Sequence, residues 1–199
     1  MSWREWADAE RAAIRAADRW RAPRDLDGHG PLHTLADGAT VVSFASNDYL
    51  GLTQHPAVVA AAHDALDRWG AGAGSARLIV GSRPVHSALE AELAAWKRSE
   101  RAALFPTGFA ANLGVLTTFG EAGVLVCSDE LNHASIIDGC RSSRADVAVY
   151  RHHDLDDLAA QLAGRGDRPA LVVSDTVFSM DGDVADVAAL ADVSASHDA

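Results

Sequence analysis

The spacing of apolar residues changes along the chain and separates helical from extended segments. Residues 3–20 carry apolar side chains at three- and four-residue steps, the period of one helical face, and they begin with Ser2-Trp3-Arg4-Glu5, a sequence typical of a capping box. Residues 124–127 form instead a short continuous apolar run, which is the pattern of a buried strand. The chain is therefore predicted to combine amphipathic helices with buried strands.

From residue 102 onward, predicted strands and helices alternate. The strands are predicted at residues 102–105, 124–127, 147–150 and 170–174, and the helices at residues 109–119, 134–144, 155–162 and 187–196. This alternation predicts an α/β fold with right-handed strand–helix–strand units, a mostly parallel sheet and helices on both of its faces. Since the last helix should lead into another strand, we expect the natural chain to continue past Ala199.

The earlier part of the chain contains more turns and fewer strands. Its predicted elements are a turn-rich segment with room for a short strand at 21–38, a β-like run at 40–45, a polar turn at 46–51, and helices at 56–69 and 84–98. We predict an N-terminal helix and arm over residues 1–45 and the first part of one α/β domain over residues 46–199. The glycine-rich loop at residues 70–75 follows a helix, whereas a dinucleotide-binding turn requires a preceding strand, so we interpret it as a mobile loop.

Composition and charge narrow the class of protein. A chain of 199 residues with 48% hydrophobic content can bury a sizeable core, and its net charge of −11 argues against nucleic acid or an anionic membrane as a partner. Cys127 and Cys140 are too few for a disulfide framework or a zinc site, and they suit a reducing compartment. With no signal-peptide pattern and no apolar run of membrane-spanning length, we expect a cytoplasmic protein.

Polar residues follow several of the predicted strands, at the edge of the sheet where α/β proteins bind ligands. Thr107 and Gly108 begin a helix whose free N–H groups could hold a phosphate, although an ordinary turn capped by Thr107 would look the same. His133 follows the next strand, and by itself it could equally be a helix cap or a solvated side chain. Residues 175–179 follow a further strand. Because the carboxyl ends of parallel strands share one edge, these loops can converge on one ligand.

Other candidate residues receive structural interpretations. His152 and His153 would point to opposite faces if their strand continued through them, so we expect no shared metal. Residues 181–183 are too few for a calcium loop and indicate a turn. Lys97, the single lysine of the chain, is predicted to be a solvated surface residue.

Together, the motifs resemble those of the α-oxoamine synthases, fold-type I enzymes that use pyridoxal 5′-phosphate (PLP). The matching segments are residues 44–52, 72–77, His86 with Leu89-Glu90, and residues 107–112, 132–139 and 178–183. They occur in the order and at the spacing of the family, and they cover the chain from about Phe44 to its end. The resemblance thus implies the large domain of a fold-type I enzyme, preceded by a helical arm.

The resemblance also implies roles for individual residues. The cofactor-binding residues would be Gly108 and Phe109, whose backbone holds the phosphate, His133 stacked on the pyridine ring, Ser179 near the phenolic oxygen, and Asp175 as a support for His133. The substrate-binding residues would be Asn47 near the amino-acid carboxylate and Arg21 near the acyl thioester, together with His133. The cofactor lysine of the family has no counterpart here, because Lys97 lies on the wrong element. We therefore expect the N-terminal half of an enzyme that is inactive by itself.

For the full-length protein, the resemblance implies decarboxylative condensation of an amino acid with an acyl thioester. Asn47-Asp48 and the start of the chain, with Trp3 and Arg21, favour L-alanine and a pimeloyl thioester, carried by coenzyme A or a carrier protein, as in biotin synthesis. A homodimer is implied as well. Two alternatives remain open. One is the reaction of glycine C-acetyltransferase, 5-aminolevulinate synthase or serine palmitoyltransferase. The other is a non-catalytic fragment that binds PLP weakly or serves as an interaction module.

Overall fold

The computed structural model describes residues 1–35 and 37–199, which form two compact units, residues 1–82 and 83–199. In the first unit, α1 (Trp3–Ala16) begins with the predicted capping box. The Ser2 hydroxyl accepts from the Glu5 N–H at 3.2 Å, and the Glu5 carboxylate accepts from the Ser2 N–H at 2.7 Å. The helix ends before Trp20, because Asp18 adopts a φ of 54°. The helical periodicity therefore extended the prediction too far, and no residue of α1 is buried.

A small antiparallel sheet follows α1. It comprises β1 (Leu26–His29), β2 (Leu32–Leu35) and β3 (Thr40–Val42) in the order β1–β2–β3. The predicted run at residues 40–45 is confirmed for residues 40–42 only, which form β3, while β1 and β2 lie in a segment expected to be mostly irregular. These strands carry few buried apolar side chains, so only their backbone pairing, with Leu26 opposite Leu35, identifies them.

After β3, the first unit contains the helix predicted at residues 56–69 and two short helical turns that were not predicted, Leu52–Gln54 and Arg77–Gly81. The carboxylate of Asp48 accepts hydrogen bonds from the Thr53 hydroxyl and from the backbone N–H of Leu52, and these bonds hold the pKa of Asp48 below its usual value. A single 3₁₀ turn leads into α2 (Pro56–Trp69), whose predicted bounds are confirmed. Gly70 ends this helix with a φ of 78°, a conformation that favours glycine.

The second unit begins with α3 (Pro84–Lys97) and α4 (Gly108–Phe119). The strand predicted at residues 102–105 is wrong: within the described residues this segment pairs with no strand, and the Leu104 N–H donates to the Glu90 carboxylate at 2.9 Å. A backbone donor needs a partner, and here a side chain supplies one. None of the helices in the described ranges is long and apolar enough to cross a bilayer.

A three-stranded parallel sheet organises the second unit, and it confirms the predicted α/β fold. Its strands β4 (Leu125–Asp129), β5 (Asp146–Tyr150) and β6 (Ala170–Val173) lie in the order β5–β4–β6. The helices between and after them are α5 (Ala134–Ser142), α6 (Leu155–Ala163) and α7 (Val187–Ser196). A short antiparallel hairpin, β7 (Val177–Phe178) and β8 (Asp183–Val184), follows β6 and was not predicted.

The central strand β4 is buried on both faces, which explains its continuous apolar sequence. Cys127 points to one side and Val126 to the other, and neither side chain is exposed. The first side packs with Leu125, Tyr150, Leu158, Leu162 and Ala170, and the second with Leu116, Ile136 and Cys140. Helices from both sides thus hold β4 in place, and the position of its carboxyl end is set by this core.

Candidate functional site

A buried asparagine fastens the carboxyl ends of β4 and β6. Asn132 is 4% exposed, and its amide Nδ2 donates to the Ser128 hydroxyl at 2.9 Å and to the Val173 carbonyl at 2.8 Å. Its Oδ1 accepts from the backbone N–H of Asp175 at 2.8 Å. The loops that follow these two strands are therefore held side by side, as their common sheet edge predicts.

His133 is the N-cap of α5, and its ring is held in a defined orientation. The ring Nδ1 accepts from the backbone N–H of Ser135 at 3.1 Å and lies 2.7 Å from the Ser135 hydroxyl. A ring nitrogen that accepts a backbone N–H carries no proton, so the proton of the neutral ring lies on Nε2. The cap role considered for this histidine is confirmed, and it leaves Nε2 and the face of an exposed ring available.

Asp175 contacts His133 through the backbone of the histidine. Its Oδ2 accepts from the His133 N–H at 2.7 Å, while its own N–H donates to Asn132. The Asp175 carboxylate therefore binds the main chain of His133 and not its imidazole ring. Asp175 therefore sets where α5 begins.

Ser135 connects the histidine to α4. It is 1% exposed, and its hydroxyl accepts from the Asn112 amide at 2.9 Å while contacting His133 Nδ1. The sequence pattern did not single out this serine, although its position two residues after a capping histidine was a usable signal. The orientation of the ring thus depends on a hydrogen bond between two helices.

We expect Ser135→Ala to destabilise the protein by about 1–2 kcal/mol, because the partly buried Asn112 amide would lose its acceptor. The His133 ring, released from one of its two Ser135 contacts, should become more mobile. Chemical denaturation measures the first effect, and the NMR line widths of the His133 ring protons measure the second. The matched control is Ser142→Ala, an exposed position on the same helix. Equal stability and equal His133 line widths in the two variants would contradict the role assigned to Ser135.

The start of α4 presents free backbone donors. The Thr107 hydroxyl accepts from the Ala110 N–H at 3.1 Å, and the Thr107 carbonyl accepts from the Ala111 N–H. In the described parts of the chain, the N–H groups of Gly108 and Phe109 have no acceptor. A Cβ placed on Gly108 would meet no atom within 4 Å. Capping by Thr107 therefore leaves the first two N–H groups open, and this helix start has the donors and the dipole that would favour an anion.

Ser179 lies in the exposed turn of the β7–β8 hairpin. The turn predicted at residues 181–183 is present, with Gly182 at a φ of 80° and its N–H donating to the Phe178 carbonyl at 2.7 Å. Phe178, next to the serine, is 3% exposed and anchors this end of the hairpin. The hydroxyl of Ser179 is therefore carried on an element of only two residues per strand.

His152 lies between two carboxylates, contrary to the prediction for this pair of histidines. Because β5 ends at Tyr150 and His153 adopts a φ of 58°, the two rings lie 3.9 Å apart and not on opposite faces. His152 Nδ1 is 2.9 Å from Asp129 Oδ1, and its Nε2 is 2.7 Å from Asp183 Oδ2. Both ring nitrogens of His152 therefore contact carboxylate oxygens. We interpret these side chains as an ion-pair network and not as a metal site.

The environment of this network shifts the pKa values of His152 and Asp183. Burial alone would lower the pKa of His152, but the hydrogen bonds to Asp183 and Asp129 outweigh it, so the pKa of His152 is raised. The hydrogen bond with His152 lowers the pKa of Asp183. Sequence reasoning missed Asp129, although it ends a strand and lies opposite Tyr150 at the end of the neighbouring one.

A small cavity of about 150 Å³ lies beside the network. Its lining includes Asp129, Tyr150, His153 and Ser174. Burial raises the pKa of Tyr150 to about 12, so its phenol stays protonated at neutral pH. Because of this cavity, the strand ends on this side are less tightly packed than the core beneath them.

The remaining predicted residues lie elsewhere. Arg21 and Asn47 are exposed residues of the first unit, and the Asn47 side chain accepts from the Tyr49 hydroxyl at 3.3 Å. Their substrate roles stay predictions. Lys97 is exposed at the end of α3 with its Nζ 4.7 Å from the Trp96 ring centre, which confirms a surface lysine. Cys127 and Cys140 are free thiols.

Residues 39–199 match the sequence profile described as aminotransferase class I and II. An 8-amino-7-oxononanoate synthase of Thermoanaerobacter pseudethanolicus is 45% identical over 174 residues, covering 86% of this chain and 44% of that protein. Another, from Anaeromyxobacter sp. strain K, is 47% identical over 198 residues, covering 98% of this chain and 49% of that protein. The chain thus spans about half the length of the curated relatives it matches.

Solved structures show the same architecture. The serine palmitoyltransferase of Sphingomonas wittichii superposes with a TM-score of 0.86 at 33% sequence identity, over 96% of this chain and 49% of that one. The resemblance found from the sequence motifs is confirmed by these matches. The chain therefore shares the architecture of about half of that enzyme chain.

Proposed function

The chain belongs to the class I and II aminotransferase family, and on this premise we propose that it forms the N-terminal half of an 8-amino-7-oxononanoate synthase, a PLP-dependent α-oxoamine synthase. The observation that carries the proposal is the pairing of two site features in one unit: the open N–H groups of Gly108 and Phe109, and the oriented ring of His133. Identity of 45–47% to such synthases over most of the chain supports the choice within the family.

The residues of this chain fit PLP, which carries a phosphate and a flat pyridine ring. The phosphate needs N–H donors and positive potential, and the start of α4 offers both. The ring needs a flat partner, and the exposed face of His133 offers one. When bound, PLP supplies an electron sink that stabilises negative charge on the amino-acid Cα.

In this proposal, His133 orients the cofactor ring and does not transfer a proton. Ser135 holds Nδ1, and Asp175 holds the backbone N–H, so the ring cannot turn without breaking hydrogen bonds. A fixed ring keeps its partner in one plane, and such positioning lowers the entropy cost of reaction. Ser179 would add a hydroxyl near the phenolic oxygen of the cofactor.

The proposed substrates are L-alanine and a pimeloyl thioester. A bond forms between the alanine Cα and the thioester carbonyl carbon, the alanine carboxyl group leaves as carbon dioxide, and the thiol carrier is released. Asn47 would hold the amino-acid carboxylate and Arg21 would lie near the acyl thioester.

Lys97 does not fit the role of cofactor lysine, because it is exposed at the end of α3, so we propose that a lysine beyond residue 199 anchors PLP. The full-length protein would act as a homodimer, as the resemblance implies.

The experiment is a substrate assay of the full-length protein from the natural reading frame. With PLP, L-alanine and pimeloyl-coenzyme A, we expect release of coenzyme A and a product with the mass of 8-amino-7-oxononanoate. Glycine with acetyl-coenzyme A and serine with palmitoyl-coenzyme A should give little product. Turnover with glycine and acetyl-coenzyme A only would contradict the proposed substrates while keeping the family.

A second candidate is that the chain by itself binds PLP without catalysis, which the presence of the α4 and His133 groups within residues 83–199 favours. Incubation of this chain with PLP followed by borohydride distinguishes the cases. Reversible PLP binding with no reduced adduct would support a non-covalent module. A stable adduct at Lys97 would contradict the proposed anchor beyond residue 199.

A further inference from the structure

We propose that His152 is a positioning residue that holds the β7–β8 hairpin, and with it Ser179, against the end of β4. The inference rests on the proposed function only in the role of Ser179. The link runs from the buried Asp129 through the His152 ring to Asp183 on the hairpin. It joins three segments that are far apart in the chain.

The hairpin needs such a link because it is too short to hold its own position. Each strand has two residues, and hairpins of this size are not stable alone in water. The His152 ring contacts both strands: its Nε2 lies 2.7 Å from Asp183 on β8, and its ring centre lies 4.5 Å from that of Phe178 on β7 in an edge-to-face arrangement. One side chain therefore contacts both strands.

The other end of the link is rigid. Asp129 is 2% exposed and ends the central strand β4. Its carboxylate accepts from the Leu131 N–H at 2.9 Å and from the His153 N–H at 3.3 Å, in addition to His152. A side chain held by several hydrogen bonds has little freedom, so a group bound to it is positioned.

The network requires a charged imidazole. Both nitrogens of His152 face carboxylate oxygens, so both must donate, which only the imidazolium can do. The other ionisable groups around it are His153, whose Nε2 is 3.4 Å from Asp183, and Glu130, which accepts from the His152 backbone N–H at 3.0 Å. Next to it in the chain, Arg151 is paired with Asp154 and Asp157.

The direction of the pH dependence follows from these charges. Because the pKa of His152 is raised in the folded protein, the link is complete below the ordinary histidine pKa and is lost as pH rises through the raised value. Because the pKa of Asp183 is lowered, acid removes the link only below the usual aspartate range. As pH rises above the ordinary histidine range, the hairpin should therefore loosen.

The first test is hydrogen exchange on the full-length protein without PLP, using His152→Gln and His152→Ala. We expect exchange of residues 176–185 to rise about tenfold, while residues 125–142 change by less than about twofold. In the unmodified chain, hairpin exchange corrected for intrinsic rates should increase with pH, and this dependence should vanish in His152→Gln. The matched control is His63→Ala, an exposed histidine of α2.

The outcomes separate positioning from general stability. Unchanged hairpin exchange in both variants would overturn the proposal. If His152→Ala unfolds the chain, His152→Gln decides: a rise confined to the hairpin supports positioning, and a uniform rise overturns it. Because no PLP is present, failure of the proposed function would leave this result intact.

A double-mutant cycle in the full-length protein tests the connection to Ser179. His152→Gln should weaken PLP binding about tenfold by itself, and should add less than about twofold in a Ser179→Ala background. A purely structural role would instead give independent, multiplying effects. Such multiplying effects would overturn the claim that His152 acts through Ser179.

Discussion

Replacing Gly108 with aspartate should weaken PLP binding by about 100-fold while leaving the fold at least as stable as before. A side chain fits at this position, because a Cβ would meet no atom within 4 Å and the backbone is not in the left-handed region. A carboxylate in the first turn of a helix interacts favourably with the dipole, by about 0.3–1 kcal/mol. Stability and ligand affinity should thus move in opposite directions.

The expected loss of affinity comes from charge repulsion. The new carboxylate would lie beside the N–H groups that we propose hold the phosphate. Two like charges about 4 Å apart repel by about 4 kcal/mol at an effective dielectric constant near 20, and solvent at this exposed helix start reduces that value. A remaining penalty of about 2.7 kcal/mol corresponds to about 100-fold in the dissociation constant.

Fluorescence titration with PLP and thermal unfolding of the full-length protein measure the two effects. The control is Gly108→Asn, which has nearly the same shape and no charge, and it should lose no more than about fivefold in affinity. An equal loss for both variants would indicate a steric effect. No loss for the aspartate variant would place the phosphate away from the start of α4.

Replacing Asn132 with alanine should destabilise the protein by about 3 kcal/mol. The side chain is buried and makes three hydrogen bonds that join β4, β6 and the loop after β6. Its removal leaves the Val173 carbonyl and the Asp175 N–H without these partners, and each lost buried bond costs about 1 kcal/mol or more. Asp175 would then hold the start of α5 less firmly, so His133 should lose its fixed position.

Chemical denaturation gives the free energy of unfolding for this comparison. Thr117→Ala is the control, because the Thr117 hydroxyl is exposed and bonds only to carbonyls of its own helix; it should change stability by less than about 0.5 kcal/mol. Asn132→Asp, which keeps the acceptor and loses both donors, should be destabilised as well. A loss below about 1 kcal/mol for Asn132→Ala would show that the strand ends are held by packing alone.

The elements that sequence reasoning placed well have local causes. The bounds of α2 follow from a proline at its first position and from Gly70, whose positive φ ends it. The apolar run of β4 reflects burial on both faces, and the alternation of strands and helices implies the parallel sheet. Propensity, periodicity and capping act within a few residues, so a linear pattern records them.

The elements that sequence reasoning missed depend on pairing with another segment of the chain. The segment at residues 102–105 has the residue types of a strand but pairs with none among the described residues, while β1 and β2 form a ladder with little apolar pattern. The β7–β8 hairpin is too short to leave a periodic signal. A strand forms only when two segments pair, and the periodicity of one segment does not show whether the other is present.

The sequence by itself determined the α/β class, the family resemblance, the placement of Gly108 at the start of a helix, and the placement of His133 and Asp175 after strands of one sheet edge. Only the tertiary structure decided which groups bond to one another. Asn132 reaches Asp175, 43 residues later, and His152 lies between Asp129 and Asp183, 23 residues before it and 31 after it. A hydrogen bond requires its atoms within about 3 Å and in line, and only the packed fold sets that distance between segments so far apart.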